Sequence, residues 1–327
     1  MINFKTISIE NINELKDYKN FDKINYRNNI ILSAELSYNL HVNILCIIIN
    51  NEICGCIIYY IKNKKVLNFK NTFFYKEFLF KEKILKFLSN KYSNHSFVIF
   101  DQSNSKNNNE QKVVNIKLKI KDNLHEQWDF IPSKTKNMIR KGKKFKVKII
   151  QNNKYLYDFY NIYYFNMLNK KILPHTYDFF LNLFKKYDNE IFLFVSLDEK
   201  KVTGGVVLIL EKNHAHYPFH TSLMNYNKYS VNDLLIWEII KFVQNKKINY
   251  IDFGEATINS GVYKFKNNFS KSNIIEYIDK YQLTNNRNFI YKIKDYFFTK
   301  KIFFLLYKIK FPIKLLLKNY KINNLGI

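Results

Sequence analysis

Residues 229–270 read YSVNDLLIWEIIKFVQNKKINYIDFGEATINSGVYKFKNNFS. Apolar residues recur at helical spacing over 231–244, so the stretch opens as an amphipathic helix. NYIDFG then reads as a strand, and a polar loop leads to Tyr263-Lys264-Phe265-Lys266. The whole chain has seven glycines, and Gly254 and Gly261 bracket that loop. Alternation predicts a strand-like segment there, with Lys264 and Lys266 on one side and Tyr263 and Phe265 on the other. The two glycines are expected to let the loop bend tightly and aim the lysines into a groove.

Upstream, residues 156–170 and 176–187 read as helices and residues 190–197 as a strand. A turn at Leu197–Lys201 joins that strand to TGGVVLIL, and AHYPFHTS follows as another strand. The first half repeats a shorter version of this plan. Residues 42–61 form two strands around a turn at Asn50-Asn51-Glu52, an amphipathic helix carries Phe80, Ile84, Leu85 and Leu88, and HSFVIFD is a further strand. VVNIKLKI alternates as a half-exposed strand. Between the halves, residues 131–149 form a basic helix running into a strand, with Ser133 as its expected cap. The organisation expected is therefore 1–130, a degenerate first domain; 131–285, a second domain; and 286–327, a basic amphipathic tail interrupted by Pro312.

The chain has 327 residues, is 47% apolar and 17% aromatic, and so has ample material for packed cores. Its net charge is +26, yet only Arg27, Arg140 and Arg287 among the 53 basic residues are arginine. Such a lysine bias follows from AT-rich coding, although the charge still favours anionic partners. Cys46, Cys54 and Cys56 lack the spacing of a zinc site and read as buried free thiols, with Cys54 and Cys56 on one strand face. No run reaches 18 uninterrupted apolar residues and the N-terminus has no signal-peptide pattern. The expected location is cytoplasmic, at the inner face of the membrane if the tail anchors there.

SKTKNMIRKGKKFKVKI resembles the corresponding helix of the Fem-type aminoacyltransferases and their GNAT-like relatives. YSVNDLLIWEIIKFVQNKKINYIDFGEA followed by GVYKFKNNFS resembles that family's helix–strand–loop core, with Phe269-Ser270 where members carry Phe-Gly. The likeness covers residues 130–283 by motif and the first half by pattern. It implies an α/β (α+β) fold of tandem GNAT-like domains, with mixed central sheets flanked by helices and a substrate groove. It further implies transfer of an acyl or aminoacyl group onto an amine or hydroxyl of a cell-envelope precursor, peptidoglycan included. Acetyl-CoA-using relatives place a glycine-rich pyrophosphate loop before the core helix. LMNYNKYSVND has no glycine, which favours another donor.

Acyl transfer needs a deprotonated amine, a polarised carbonyl and aligned partners. By family analogy Lys266 is the expected catalytic cation, and Glu255, just past the strand, the expected base or orienter of the amine. Substrate contacts are expected from Lys264, Tyr263, Arg140, Lys136, Lys141, His220 and Asn232. Arg140 is the one shaped for bidentate phosphate binding, and Asn232 lies at a helix start able to hold phosphate. Asp252 reads as structural. His214, His216 and His220 alternate and so share a strand face, but residues two apart on a strand rarely chelate one ion, and no metal is expected.

No resident cofactor is expected, aminoacyl-tRNA or acyl-CoA being a cosubstrate. Expected partners are a phosphorylated or lipid-linked precursor, charged tRNA, and a membrane touched by the C-terminal tail. Two other readings stand beside this one. One is a CoA-dependent N- or O-acyltransferase acting on a surface glycan. The other is a non-enzymatic basic nucleic-acid-binding protein, for which no RNA or DNA motif is present.

Overall fold

The computed structural model describes residues 2–283 apart from 22–23, 25–27, 63, 102–112, 146, 171, 187–188, 212 and 272–273. The tail expected at 286–327 lies outside the described residues. Among those described, no helix is long and apolar enough to cross a membrane.

The first half runs β1 (Asn3–Ser8), α1 (Asn28–Tyr38), β2 (Val42–Ile49), β3 (Glu52–Lys62), β4 (Lys65–Tyr75), α2 (Phe78–Lys91) and β5 (Ser96–Asp101). The β2–β3 hairpin closes through Asn50 and Asn51, both at positive φ (48° and 60°), as a two-residue type I′ turn demands. The register then slips at Cys54, where Ile47 pairs with Gly55 and Ile48 with Ile53. That bulge reverses the faces, so Cys54 packs with Leu45 and Ile57 while Cys56 packs with Ile44 and Ile58. The expectation that the two thiols share a face is thus corrected. All three cysteines are free and buried.

The chain continues through β6 (Val113–Lys119), α3 (Leu124–Phe130), α4 (Ser133–Lys144), β7 (Val147–Gln151), α5 (Leu156–Asn169) and α6 (Tyr177–Lys186). Then come β8 (Ile191–Asp198), β9 (Lys201–Glu211), β10 (His214–Ser222), α7 (Val231–Asn245), β11 (Tyr250–Thr257), α8 (Gly261–Ser270) and β12 (Ile274–Leu283). Pro132 occupies the cap position of α4 and Ser133 is already helical, so the expected serine cap is not made.

The strands form a twelve-stranded sheet in the order β1-β2-β3-β4-β5-β12-β6-β11-β10-β9-β8-β7. The order is a palindrome in structural role. β2, β3, β4 and β5 correspond to β8, β9, β10 and β11, and β4–β5 and β10–β11 are parallel pairs. The sixth strand of each half comes from the other. β6, from the end of the first half, pairs with β11, and β12, from the end of the second, pairs with β5. β6 and β12 then pair with each other at the middle. A cut at residue 130 therefore leaves each sheet lacking one of its own strands.

Although interior to the sheet, β6 is half-exposed as its alternation predicts: Val114, Ile116 and Leu118 lie in the core, while Lys117 and Lys119 on the other face reach solvent. One face of the second-half sheet packs α4 and α7 around Ile139, Leu235, Ile239 and Ile251. The other packs α5 and α6 around Phe159, Phe179, Phe180 and Val207, and Ala34 of α1 joins it from the first half.

Candidate functional site

The site begins where β10 and β11 part. Their parallel ladder covers only His214–His216 against Tyr250–Asp252. Past it, β10 bulges between His216 and Phe219 and β11 bulges between Asp252 and Glu255. Pro218 sits in the first bulge and has no N–H to donate to a ladder. Gly254 sits in the second with φ +73°, a left-handed conformation that glycine adopts without penalty. The Asp252 carboxylate holds that turn. Its Oδ1 accepts the Gly254 N–H at 2.6 Å and its Oδ2 accepts Asn115 Nδ2 at 3.1 Å. Asp252 is buried and structural, as its place in the strand predicts.

Two strands that diverge at the same level leave a gap in the sheet. A cleft of about 1030 Å³ opens there, lined by Tyr217–Ser222 of β10, Phe253–Glu255 of β11 and residues of α5, α7 and α8. α1 of the first half reaches its wall through Ile31.

Lys266 lines this cleft and donates from Nζ to the Glu255 main-chain oxygen at 2.8 Å. That contact fixes the position of the ammonium group at the cleft wall. Glu255 lines the cleft beside it, half-buried. His220 enters from β10. Its Nε2–H donates to Asn232 Oδ1 at 2.9 Å, a contact that sets the tautomer and leaves Nδ1 as the acceptor. Burial above all holds His220 down at about 4, with the nearby Lys266 charge acting in the same direction and the Asn232 bond opposing. The imidazole is therefore neutral at pH 7.

His175 forms a second neutral imidazole on the cleft wall. Burial holds it at about 4. The Tyr38 hydroxyl of α1 accepts the Thr176 N–H at 3.3 Å and shares a 2.7 Å hydrogen bond with His175 Nδ1. Asn166 of α5, also on the wall, is anchored by donating to Thr221 Oγ1 and the Ser222 carbonyl, both at 2.7 Å.

Of the residues expected at a site, Lys266, Glu255, His220 and Asn232 are thus brought together. Asn232 does so in an unexpected role, because its side chain orients His220. Tyr263, Lys264, Arg140, Lys136 and Lys141 do not line the cleft. The segment expected to be strand-like is helix α8, capped by Ser260, whose Oγ accepts the Tyr263 N–H at 3.1 Å. Residues two apart on a helix point in divergent directions, so Lys264 is exposed while Lys266 turns inward. Gly261 is simply the first residue of α8 and makes no bend. On α4, Arg140 bonds to Asn137 and Lys136 pairs with Asp129. Arg140, Lys136 and Lys143 surround the Trp128 ring, each 5.4–5.8 Å from its centroid. The β10 bulge also separates the histidines. His214 bonds to Glu211, and the slipped register turns His220 to the opposite sheet face from His216.

His175, Asn166 and Tyr38 carried no usable signal in sequence. They reach the site only through the packing of α1, α5 and α6.

Residues 139–267 match the family model described as acetyltransferase (GNAT) domain. No curated protein sequence matches the chain. Among solved structures, the fold is similar to that of FemX, with a TM-score of 0.61 at 11% identity over 89% of this chain and 99% of that one. It is similar also to a tandem GNAT protein from the clavulanic acid biosynthesis pathway (TM-score 0.55, 5% identity, 87% and 99% covered). A third likeness is to L-PGS from Bacillus licheniformis (0.54, 8%, 89% and 96%). The tandem GNAT-like fold implied by the Fem-type resemblance is the fold the chain has.

Proposed function

We propose that this chain is an acyltransferase that moves an acyl or aminoacyl group from an activated donor onto an amine or hydroxyl held in the cleft, the acceptor being a cell-envelope precursor. One observation carries the reading. Lys266, Glu255 and His220 converge where β10 and β11 part, inside the segment that matches the acetyltransferase domain. The Fem-type resemblance of the sequence favours the Fem-like version of the reaction, with aminoacyl-tRNA as donor, and the fold is one that FemX shares.

In this reaction the acceptor nitrogen attacks the carbonyl carbon, the C–N bond forms, and the carbonyl oxygen takes up negative charge. Lys266, pinned by the Glu255 carbonyl, supplies a cation to that oxygen or to a donor phosphate. The proton lost by the amine passes to Glu255 or to the neutral His220. The donor's bond to oxygen or sulfur then breaks, releasing tRNA or thiol. Glu255 is the preferred base, because it lines the cleft directly beside Lys266.

The test is a transfer assay with charged tRNA or acyl-CoA as donor and labelled envelope precursors as acceptors. Lys266→Ala should lower kcat by about 100-fold or more with the fold retained. A variant as active as the parent removes this lysine from the mechanism.

The match to an acetyltransferase domain favours one second reading, CoA-dependent acylation of a surface glycan. The glycine-free segment before α7 weighs against it. Calorimetric titration with acetyl-CoA and, separately, with charged tRNA distinguishes the two. Nucleic-acid binding without catalysis has less support, since large aromatics such as Phe159, Phe179, Phe180 and Phe269 are buried rather than displayed.

A further inference from the structure

Large hydrophobic side chains left in water need a reason when they gather in one place. Four of the most exposed among the described residues surround one opening. They are Met224 (76% exposed), Leu173 (61%), Val262 (52%) and Ile172 (51%). Met224 and Val262 line the cleft itself, and Ile172-Leu173 lie on the loop between Lys170 and His175, which line it too. They come from three separate segments: the α5–α6 loop, the turn before α7, and the start of α8. Only the tertiary fold makes them neighbours.

The charged residues on these three segments are of one sign. Lys170, Lys228 and Lys264 are exposed on the same three segments. Residues 169–176, 223–230 and 258–268 contain no Asp or Glu. The exposed side chains here are aliphatic, lysine or small uncharged polar groups such as Asn169, Asn225 and Asn268, without the exposed Trp, Tyr or Arg anchors typical of a protein–protein hot spot. Flexible aliphatic chains ringed by lysines suit a different partner. Apolar groups enter the acyl–headgroup boundary while ammonium groups reach lipid phosphates.

We propose that the mouth of the cleft docks on an anionic phospholipid bilayer, with Met224, Val262, Ile172 and Leu173 entering the interface and Lys170, Lys228 and Lys264 meeting the headgroups. Docking in this pose turns the cleft toward the membrane. An acceptor embedded in the bilayer then reaches Lys266 without leaving it. The surface is a property of the rim and does not depend on which acyl group is moved.

The three native cysteines are buried, so Met224→Cys and Leu173→Cys can each be labelled selectively with an environment-sensitive dye on the full chain. Tyr157→Cys serves as control. Tyr157 is exposed at the other end of α5, about 18 Å from the cleft end of that helix at 1.5 Å per residue. With phosphatidylglycerol/phosphatidylcholine vesicles, the dye at 224 and at 173 should shift to the blue and be reached by quenchers placed within the bilayer, while the dye at 157 does neither. Vesicles of phosphatidylcholine alone should give little binding. The double variant Met224→Asp/Leu173→Asp should lower partitioning onto the anionic vesicles by roughly ten-fold or more. The proposal is overturned if the chain fails to bind these vesicles. It is equally overturned if the chain binds while the dyes at 224 and 173 stay in water, since attachment then runs through bulk charge or through residues 286–327. Neither result bears on the transfer assay with Lys266→Ala, so the two readings fail separately.

Discussion

Lys264 and Lys266 are chemically identical and two residues apart, yet only Lys266 reaches the cleft. Lys264→Ala should therefore leave transfer within a few-fold of the parent in the assay that Lys266→Ala fails. Their coupling to His220 can be read without any substrate. Burial chiefly, and the Lys266 charge in addition, hold His220 near 4. Lys266→Ala should move the His220 titration upward in a proton NMR titration, and Lys264→Ala should not. His175 is depressed to about 4 by burial as well. For both groups the ordinary value is 6.5, so between 6.5 and 4 the unfolded chain binds protons that the folded chain refuses. Their contribution to stability is full above 6.5 and drains away as pH falls toward 4. Thermal unfolding followed from pH 7 to 4.5 should show that loss, and His220→Gln should reduce its slope. Gly254 is a further residue whose backbone decides its identity. Gly254→Ala places a Cβ in a left-handed conformation and should cost about 1–2 kcal/mol in denaturant unfolding. An unchanged midpoint would show that the turn is not held at positive φ.

At the scale of the element, most helices and strands of the second half were legible, because α5, α6, α7, β8 and β9 each carry the periodicity their burial requires. α8 was not. Tyr263-Lys264-Phe265-Lys266 alternates over four residues, too few to separate a strand from a helix. The deciding signals were the Ser260 cap and the four-residue spacing of Phe265 and Phe269, which both face the core. β10 shows another limit. Its histidines alternate in sequence, and one bulge at Tyr217-Pro218 sends His220 to the other face. Close packing of β9 yields a prediction at this scale. A Cβ on Gly205 would meet the Phe194 carbonyl at 2.8 Å and Phe159 Cδ2 at 2.9 Å. Gly205→Ala should destabilise the chain by about 1–3 kcal/mol through overpacking of α5 on the sheet, measured as a lowered denaturant midpoint.

At the scale of the whole molecule, the exchanged strands bind the halves into one sheet. β6 contributes Val114, Ile116 and Leu118 to the second-half core, and β12 joins β5 to β6. The full chain should therefore unfold in a single cooperative calorimetric transition, and residues 131–327 expressed alone should not give a stable fold. Two independent transitions would show that the halves are separable despite the shared sheet. Lys266 and Glu255 were singled out through the resemblance to the Fem-type family; local pattern by itself determined the repeated hairpin–helix–strand plan and the buried thiols. These follow from hydrophobic periodicity and short-range geometry, which any few consecutive residues carry. Only the tertiary structure decided the strand exchange, the cleft, the partners of His220 and His175, and the apolar rim. Each of those depends on contacts between segments tens to more than a hundred residues apart, and the register of a sheet is set by what packs on both of its faces, which no local window of sequence contains.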